Sequence, residues 1–302
     1  MNDQNLPLLG RGAIVTGVSR RRGIGFAVAR RLAELGADLF VHHFSPHDAE
    51  LPWGADDLEA VFAELRAAQH AGARFGQLGA DLAEAESADR IIRAARDAIG
   101  TPRILVCNQA RSGGDGSIFD MAAERLDGHW SVNARATLLL TRSFAEAFAS
   151  AAGLARDEAA RPEQSDPTAP GVRQATDWPF DEFRTGRVFW MTSGQQDGPM
   201  PGEVAYATSK AALAGLTPTV ASELLTRGIL LNTINPGPVN TGYLDPETTD
   251  RPLKDMQERL RTLPFGRFGT PEDPARLIGW LATDDGRWVV GQVITSDGGF
   301  RL

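Results

Sequence analysis

The 302-residue sequence has a single cysteine, Cys107, which excludes an internal disulfide and a metal site built from four cysteines. No apolar run approaches the roughly 18 residues that cross a bilayer. The N-terminus lacks a basic region followed by a long apolar segment, so we expect no signal peptide. Positive charge is not in excess either, because the formal net charge is −8 and the pI about 5.2. We therefore expect a soluble, cytoplasmic protein whose main partner is neither nucleic acid nor an anionic membrane.

Short apolar runs alternate with helical patterns along almost the whole chain. The runs are rich in Val, Ile, Leu and Phe with little polar alternation, which is typical of parallel strands buried on both faces. Strands are predicted at 12–17, 38–43, 76–81, 103–110, 186–193, 229–237 and 291–299, and helices at 26–36, 87–100, 123–149 and 204–227. This order predicts an α/β fold in one domain over residues 1–302, a doubly wound Rossmann-type sheet of seven mainly parallel strands with helices on both faces.

Residues 154–186 interrupt the alternation, being rich in Ala, Asp, Glu, Arg and Pro and poor in aliphatic residues. They join a helix to the fifth strand, and in a parallel sheet such connections lie at the edge opposite the ligand crevice. We interpret them as a surface insertion, with a substrate lid as the alternative.

The stretch TGVSRRRGIG, residues 16–25, connects the first strand to the first helix. Glycines in such a turn let the backbone approach a phosphate, and the helix N-terminus offers free N–H groups and a positive dipole end. The spacing departs from G-x-G-x-x-G, but Gly17, Gly23 and Gly25, with Ile24 as an apolar anchor, favour a nucleotide-binding turn over a plain connection.

The second strand ends in VHHFSPHD, with no acidic residue before Asp48. NAD-binding proteins commonly place an acid there to bind the ribose hydroxyls, whereas a cationic loop suits a 2′-phosphate. We therefore favour NADP(H) over NAD(H); the alternative is that the arginines of the loop only solvate an exposed turn. The predicted pocket consists of Ser19, Arg20, Arg22, His43 and Ser45.

Tyr206 and Lys210 are four residues apart on a predicted helix, so their side chains share one face. An ammonium one turn away stabilises phenolate, which lets a tyrosine act as an acid or base near neutral pH. Ser193 ends a strand thirteen residues earlier, at the rim where ligands bind in open α/β sheets. Its hydroxyl could polarise a substrate carbonyl.

The glycine turn and this Ser–Tyr–Lys set resemble the short-chain dehydrogenase/reductase family, whose loop TGxxxGxG is two residues shorter. The resemblance implies that Tyr206 is the acid/base, that Ser193 orients the substrate, and that Lys210 binds the nicotinamide ribose and tunes the tyrosine. It adds Asn133 as the support of a proton-relay water, and it makes Tyr206 and Lys210 cofactor contacts as well.

The resemblance extends along nearly the whole chain. GAD at 79–81 and NPGPVNT at 235–241 match the family, whereas CNQA at 107–110 departs from its NNAG. The cofactor contacts that it implies there are Asp81, Leu82, Asn108, Gln109, Ala110, Pro236, Gly237, Val239 and Thr241.

Within that family the chain is most similar to bacterial 3-oxoacyl-(acyl-carrier-protein) reductases and other ketoreductases. This implies NADPH-dependent reduction of a carbonyl substrate, possibly thioester-bound, and a homotetramer or homodimer built on the helices at 123–149 and 204–227. Substrate identity is expected to depend on residues 195–203 and 238–265, which leave the ligand-binding rim.

Four alternatives remain. An enoyl-thioester reductase also has a lengthened glycine loop, but its tyrosine and lysine are more widely spaced. A non-catalytic NADP sensor or scaffold need not keep an acid/base. A serine hydrolase would need a G-x-S-x-G turn, which Ser193 lacks. A metal site at His42, His43 and His47 is disfavoured, because adjacent strand residues point to opposite faces.

Overall fold

The computed structural model describes residues 6–151, 185–249 and 253–302. Its seven strands form one parallel sheet in the order β3-β2-β1-β4-β5-β6-β7. They are β1 Gly12–Val15, β2 Asp38–His43, β3 Phe75–Gly79, β4 Pro102–Cys107, β5 Gly186–Met191, β6 Ile229–Asn235 and β7 Val293–Thr295. The strand order reverses between β1 and β4, where ligands bind in open α/β sheets. The predicted fold is confirmed.

Helices cover both faces of the sheet. Because successive strand residues point to opposite sides, Ala13 and Val15 join one apolar cluster and Ile14 joins the other. Helices α1, α3 and α9 pack on the first face, and α4, α6 and α7 on the second. The helices are α1 Ile24–Glu34, α2 Ser45–Ala49, α3 Leu58–Ala68, α4 Ser87–Ile99, α5 Ala123–His129, α6 Ala136–Ala151, α7 Val204–Leu225, α8 Leu253–Leu260 and α9 Glu272–Ala282.

Burial differs between central and edge strands. The central strands β1, β5 and β6 are buried along their whole length, as the continuous apolar runs predict. At the edges, β3 alternates partly buried with exposed residues and β7 is partly exposed throughout, because each has a neighbouring strand on one side only. The expectation of strands buried on both faces is therefore wrong for these two, and β7 is shorter than the predicted run at 291–299.

The predicted helix at 123–149 is interrupted by one wider turn. Residues Trp130–Arg135 form a π-helix between α5 and α6. Such a turn, with hydrogen bonds to the fifth residue along, occurs mostly as a single bulge and often at functional sites. Here it contains Asn133, which is fully buried.

The predicted insertion at 154–186 lies outside the described residues except at its end, where Gly186 begins β5. Its placement as a surface insertion stays a prediction, as does the single domain over 1–302. Among the described residues, no helix is both long and apolar enough to span a membrane.

Candidate active site

The glycine turn joins β1 to α1 at the carboxyl edge of the sheet. Gly17 has a φ of +69°, a left-handed conformation that favours glycine, and its N–H donates to His42 Nδ1 at 3.4 Å. A Cβ on Gly25 would lie 2.5 Å from the Gly17 carbonyl oxygen, so a side chain there requires the turn to move. No described side chain caps α1, and its first turn has no acid. The residues predicted to bind phosphate, Gly17, Gly23, Ile24 and Gly25, thus lie in a glycine turn before an uncapped helix N-terminus. The N–H groups of Gly17 and Gly23 themselves donate to His42 Nδ1 and the Arg20 carbonyl.

Two of the three loop arginines form ion pairs with aspartates on other segments. Arg21 binds Asp56 through two nitrogens, at 2.9 and 2.7 Å. Arg22 lies 2.8 Å from an Asp245 carboxylate oxygen, and its side chain is 63% exposed. By contrast the Arg20 side chain is 10% exposed. Of the three, Arg20 is therefore the one that the fold buries.

Asp48 lies beside Arg20 in the folded chain. Ser19 Oγ donates to one carboxylate oxygen of Asp48, and Arg20 Nε is 3.8 Å from the other. The sequence after the second strand has no acid before Asp48, but α2 follows β2 directly and returns that residue to the glycine turn. The carboxylate partly neutralises Arg20.

Two polar atoms of the predicted phosphate pocket are buried without a hydrogen-bond partner among the described residues. They are Arg20 Nη1 and Ser45 Oγ. Burial also lowers the pKa of Arg20 from its ordinary value. An unpaired buried donor costs roughly 1–3 kcal/mol, and a phosphate oxygen is the kind of acceptor that such donors lack. The residues present thus fit a phosphate-bearing cofactor. His43, the other predicted pocket residue at the end of β2, contacts Gln77 Oε1 at 2.8 Å.

The end of β4 closes the glycine turn from the other side. Asn108 Nδ2 donates to the carbonyl oxygens of Thr16 and Gly17, both at 3.1 Å. The Gln109 side chain is buried and donates to Val132 O at 3.2 Å and Thr137 Oγ1 at 2.9 Å. Gln109 therefore ties the end of β4 to the π-helix, while its backbone N–H donates to Thr16 Oγ1 at 3.3 Å. The cofactor contacts of Gln109 and Ala110 stay predictions.

The remaining predicted cofactor residues lie after β3 and β6. Asp81 Oδ1 accepts the Ala83 N–H at 2.8 Å, which shapes the turn, and Leu82 is buried in the core. After β6, Gly237 has a φ of +65° and packs so closely on Asp297 that a Cβ would lie 2.4 Å from the Asp297 Cβ.

The segment that follows β6 is held to the rest of the protein by its backbone. Val239 bridges to Gly269, and the Thr241 carbonyl accepts a hydrogen bond from Arg20. Pro236 precedes this segment directly. The turn from Pro236 to Thr241 thus reaches the glycine loop.

Tyr206 and Lys210 occupy successive turns of α7, with Lys210 Nζ 5.6 Å from the centre of the Tyr206 ring. Lys210 is buried, and its Nζ donates to Met191 O at 2.9 Å. Thr192 Oγ1 donates to the Lys210 carbonyl at 2.9 Å. Because Met191 and Thr192 directly precede Ser193, these bonds hold the three predicted catalytic residues at one edge. Burial lowers the pKa of Lys210 to about 8.

Both the oxygen and the nitrogen of the Asn133 side-chain amide make hydrogen bonds. Its Oδ1 accepts the Arg111 N–H at 2.7 Å, and its Nδ2 donates to Ser209 Oγ at 3.0 Å and Arg111 O at 3.2 Å. Ser209 is adjacent to Lys210, so Asn133 connects the π-helix to α7. Its relay role stays a prediction.

Sequence reasoning assigned no role at this edge to three polar residues: His42 behind the glycine turn, Asp48 beside Arg20, and Asp115, in the loop after β4, which caps α7. The Asp115 carboxylate accepts the N–H groups of Ala205 and Tyr206 at 3.0 and 2.7 Å. Ninety residues separate Asp115 from Ala205, so no local spacing reveals the contact. Among the described residues, no group of three or more His, Cys, Asp or Glu could hold a metal ion.

Comparison with known proteins places this site in context. A family model described as enoyl-(acyl carrier protein) reductase matches residues 17–155 and 177–301. The chain is 32% identical to an uncharacterized oxidoreductase, YjdA, of Bacillus subtilis, covering 95% of this chain and 96% of the relative. It is also 32% identical to an NADPH-dependent aldehyde reductase-like chloroplastic protein of Arabidopsis thaliana, over 98% and 96%. A short-chain dehydrogenase/reductase structure from Serratia marcescens is similar with a TM-score of 0.72 at 28% identity, over 98% and 100%.

Proposed function

The chain belongs to the short-chain dehydrogenase/reductase family of NAD(P)-binding oxidoreductases, and from this we propose that it reduces a ketone to a secondary alcohol with NADPH. The proposed substrate is a 3-oxoacyl thioester or a related carbonyl compound. The observation that carries the proposal is the buried Lys210 ammonium 5.6 Å from the Tyr206 ring, beside the end of β5.

In the proposed reaction, side chains of the protein donate the proton and the hydrogen bond to the substrate oxygen. When bound, the nicotinamide supplies the hydride. The Tyr206 hydroxyl donates its proton to the carbonyl oxygen as that oxygen gains charge, and the Ser193 hydroxyl donates a hydrogen bond to the same oxygen. Lys210 stabilises the phenolate left behind, and its burial strengthens that attraction.

NADPH is proposed over NADH because of the region around Arg20. Arg20 Nη1 and Ser45 Oγ are buried donors without partners among the described residues, and His43 stands where an acid would bind ribose hydroxyls. The Arabidopsis relative is named as NADPH-dependent, which supports the same choice. Asp48 opposes it, so the pocket must accommodate a phosphate beside one carboxylate.

We propose a homotetramer or homodimer, supported by large exposed apolar side chains at two places. One group lies on and beside α5, and the other lies on α9 and after it in the chain. The residues are Ile118, Phe119, Leu126 and Trp130 in the first group, and Trp280, Trp288 and Leu302 in the second. Light scattering after size-exclusion chromatography measures the subunit number.

The second candidate is reduction of the carbon–carbon double bond of an enoyl thioester. The description of the matching family model favours it, whereas the four-residue spacing of Tyr206 and Lys210 favours carbonyl reduction. Oxidation of NADPH with a 3-oxoacyl thioester and with the corresponding 2-enoyl thioester distinguishes the two.

Tyr206→Phe tests the proposed mechanism. We expect kcat for ketone reduction to fall about 10²–10⁴-fold, with NADPH affinity, followed by its fluorescence, changed less than about twofold. The retained NADPH affinity is the control that the cofactor site of the variant is folded. Full activity in Tyr206→Phe would remove Tyr206 from the reaction.

NADPH binding by the unaltered protein without turnover of any ketone would instead support the sensor alternative.

A further inference from the structure

The first turn of α7 has an unusual set of partners. The N–H groups of Val204, Ala205 and Tyr206 begin this helix, where a helix has no internal acceptors. Val204 donates to the Gly116 carbonyl at 3.2 Å, Ala205 to Asp115 Oδ1 at 3.0 Å and Tyr206 to Asp115 Oδ2 at 2.7 Å. Glu203, at the N-cap position, makes no side-chain capping bond. The partners of this turn thus come from the loop after β4.

Asp115 is itself rigidly held. Its side chain is 8% exposed; its Oδ1 also accepts the Gly116 N–H at 2.8 Å, and its carbonyl accepts Arg125 Nη1 at 2.9 Å. The Gly116 bond fixes the carboxylate on its own loop, and the bond from Arg125 of α5 fixes the backbone of the same residue, both independently of α7.

His129 lies behind this carboxylate. The imidazole is buried, its Nδ1 contacts Arg125 O at 2.9 Å, and its Nε2 is 4.0 Å from Asp115 Oδ2. That Nε2 is buried without a hydrogen-bond partner among the described residues. Asp115 is therefore confined between the histidine of α5 and the first turn of α7.

We propose that Asp115 is a positioning residue for the reaction, which sets where the Tyr206 hydroxyl stands by holding the backbone from which that side chain projects. The inference rests on the proposed function, since it assigns Asp115 a role through Tyr206. Two carboxylate oxygens bound to consecutive N–H groups fix both the height and the rotation of the turn. A single bond would leave the rotation free.

If Asp115 served only to stabilise the protein as an N-cap, its replacement would give a different result. Loss of such a cap destabilises a protein by about 0.5–2 kcal/mol but leaves the activity of each folded molecule unchanged. A positioning role lowers kcat in molecules that are still folded, because displacing a reacting group by about 1 Å can cost about a hundredfold in rate. The readout that separates the two is kcat per cofactor-binding site.

The experiment uses Asp115→Asn and Asp115→Ala in the full-length protein, with Asp120→Asn as the matched control. Asp120 is on the same loop, carries the same charge and accepts two bonds from Ser117, at 3.0 and 2.6 Å, instead of bonds from α7. We expect kcat to fall about tenfold in Asp115→Asn and about a hundredfold in Asp115→Ala. The Kd for NADPH should stay within about twofold. The deuterium isotope effect with 4-deuterated NADPH should rise, because the chemical step becomes slower. Asp120→Asn should match the unaltered protein in all three measurements.

Unchanged kcat and isotope effect in a folded Asp115→Asn protein would overturn the inference. If Asp115→Ala does not fold, Asp115→Asn decides, because the amide keeps the volume and one of the two bonds. Tyr206→Phe, measured beside them, keeps the two proposals apart. Activity retained in Tyr206→Phe refutes the proposed function, whereas an inactive Tyr206→Phe with a fully active Asp115→Asn refutes only the role of Asp115.

Discussion

His42 links the second strand to the glycine turn from inside the protein. Its Nδ1 accepts the Gly17 N–H at 3.4 Å, and its Nε2 lies 2.8 Å from Ala80 O. The first contact needs an unprotonated Nδ1 and the second a protonated Nε2, so the neutral ring serves both. Burial agrees with this state, since it lowers the pKa of His42 from 6.5 to about 4.

This pKa difference predicts acid sensitivity. Below pH 6.5 His42 is protonated in the unfolded chain, whereas in the folded chain it becomes protonated only near pH 4. The contribution of His42 to stability is therefore complete above pH 6.5 and decreases as the pH falls toward 4, by about 2 kcal/mol between pH 7 and 5. Denaturant titrations at both pH values should show this loss reduced in His42→Gln. The control is His70→Gln, on the turn after α3; equal losses in His42→Gln and the unaltered protein would contradict the prediction.

Gly25→Ala should weaken cofactor binding more than tenfold, because its Cβ would lie 2.5 Å from the Gly17 carbonyl oxygen and deform the turn. Gly215→Ala is the matched control. A Cβ at Gly215 meets nothing within 4 Å, and alanine is favoured over glycine within a helix by about 0.5–1 kcal/mol. Titration of NADPH fluorescence measures both variants, and normal binding by Gly25→Ala would show that the turn does not hold phosphate.

At the residue scale, some side chains of the site were predictable and others were not. Tyr206, Lys210 and Ser193 were grouped from local spacing and a strand end, and the structure brings them to one edge; their roles stay predictions. Asn133 needed the family resemblance, since a helical asparagine alone indicates nothing. Asp115 could not be found, because its partners are ninety residues away and no sequence rule connects a loop aspartate to the start of a distant helix.

At the scale of elements, the longer glycine loop crosses to the segment after β6. Arg20 donates to the Thr241 carbonyl and its guanidinium lies 5.9 Å from the centre of the Trp53 ring. The Trp53 ring in turn packs edge-on against Tyr243, with centroids 6.2 Å apart. Arg20 thus connects the glycine turn to a region predicted to set substrate choice.

Arg20→Gln tests the cofactor preference of this loop. We expect NADPH affinity to fall about ten- to a hundredfold, the effect of losing a charged hydrogen bond, with a smaller change for NADH. Arg21→Gln should change neither, because Arg21 is engaged by Asp56 and Glu64. Competition titrations with both cofactors give the affinities.

Asp48→Asn should raise the affinity for NADPH relative to NADH, because it removes the carboxylate beside Arg20. The same titrations measure it, with Asp56→Asn as a control for lost charge. A preference of the unaltered protein for NADH would contradict the proposed cofactor.

Element positions followed the sequence closely where burial decides structure. The helices predicted at 87–100 and 204–227 correspond to α4 and α7. The π-helix was not predictable, because apolar periodicity does not distinguish one wide turn from a regular helix. Helices α2, α3, α8 and α9 were also missing from the predicted set. Only for α2 is the reason plain, since five residues, Ser45–Ala49, are too short for a periodic pattern.

For the whole molecule, the strand that follows the predicted insertion begins at the end of the sheet opposite the predicted chemistry. Helix α6 ends at Ala151 and β5 begins at Gly186, at the opposite end of that strand from Ser193. Replacing residues 156–182 with a short Gly–Ser linker should therefore leave kcat within about twofold in folded protein. Steady-state kinetics after confirmation of folding and subunit number test this, and a large loss of kcat in an intact assembly would favour the lid alternative.

The position of β1 between β2 and β4 also has a consequence during synthesis. Parallel neighbours cannot be joined by a tight hairpin, and about ninety residues separate β1 from β4 in the chain. On the ribosome, β1 (Gly12–Val15) therefore has unpaired N–H and C=O groups on the side facing β4 until Cys107 has been translated. Chaperone dependence of a nascent chain is expected to be greatest before that point.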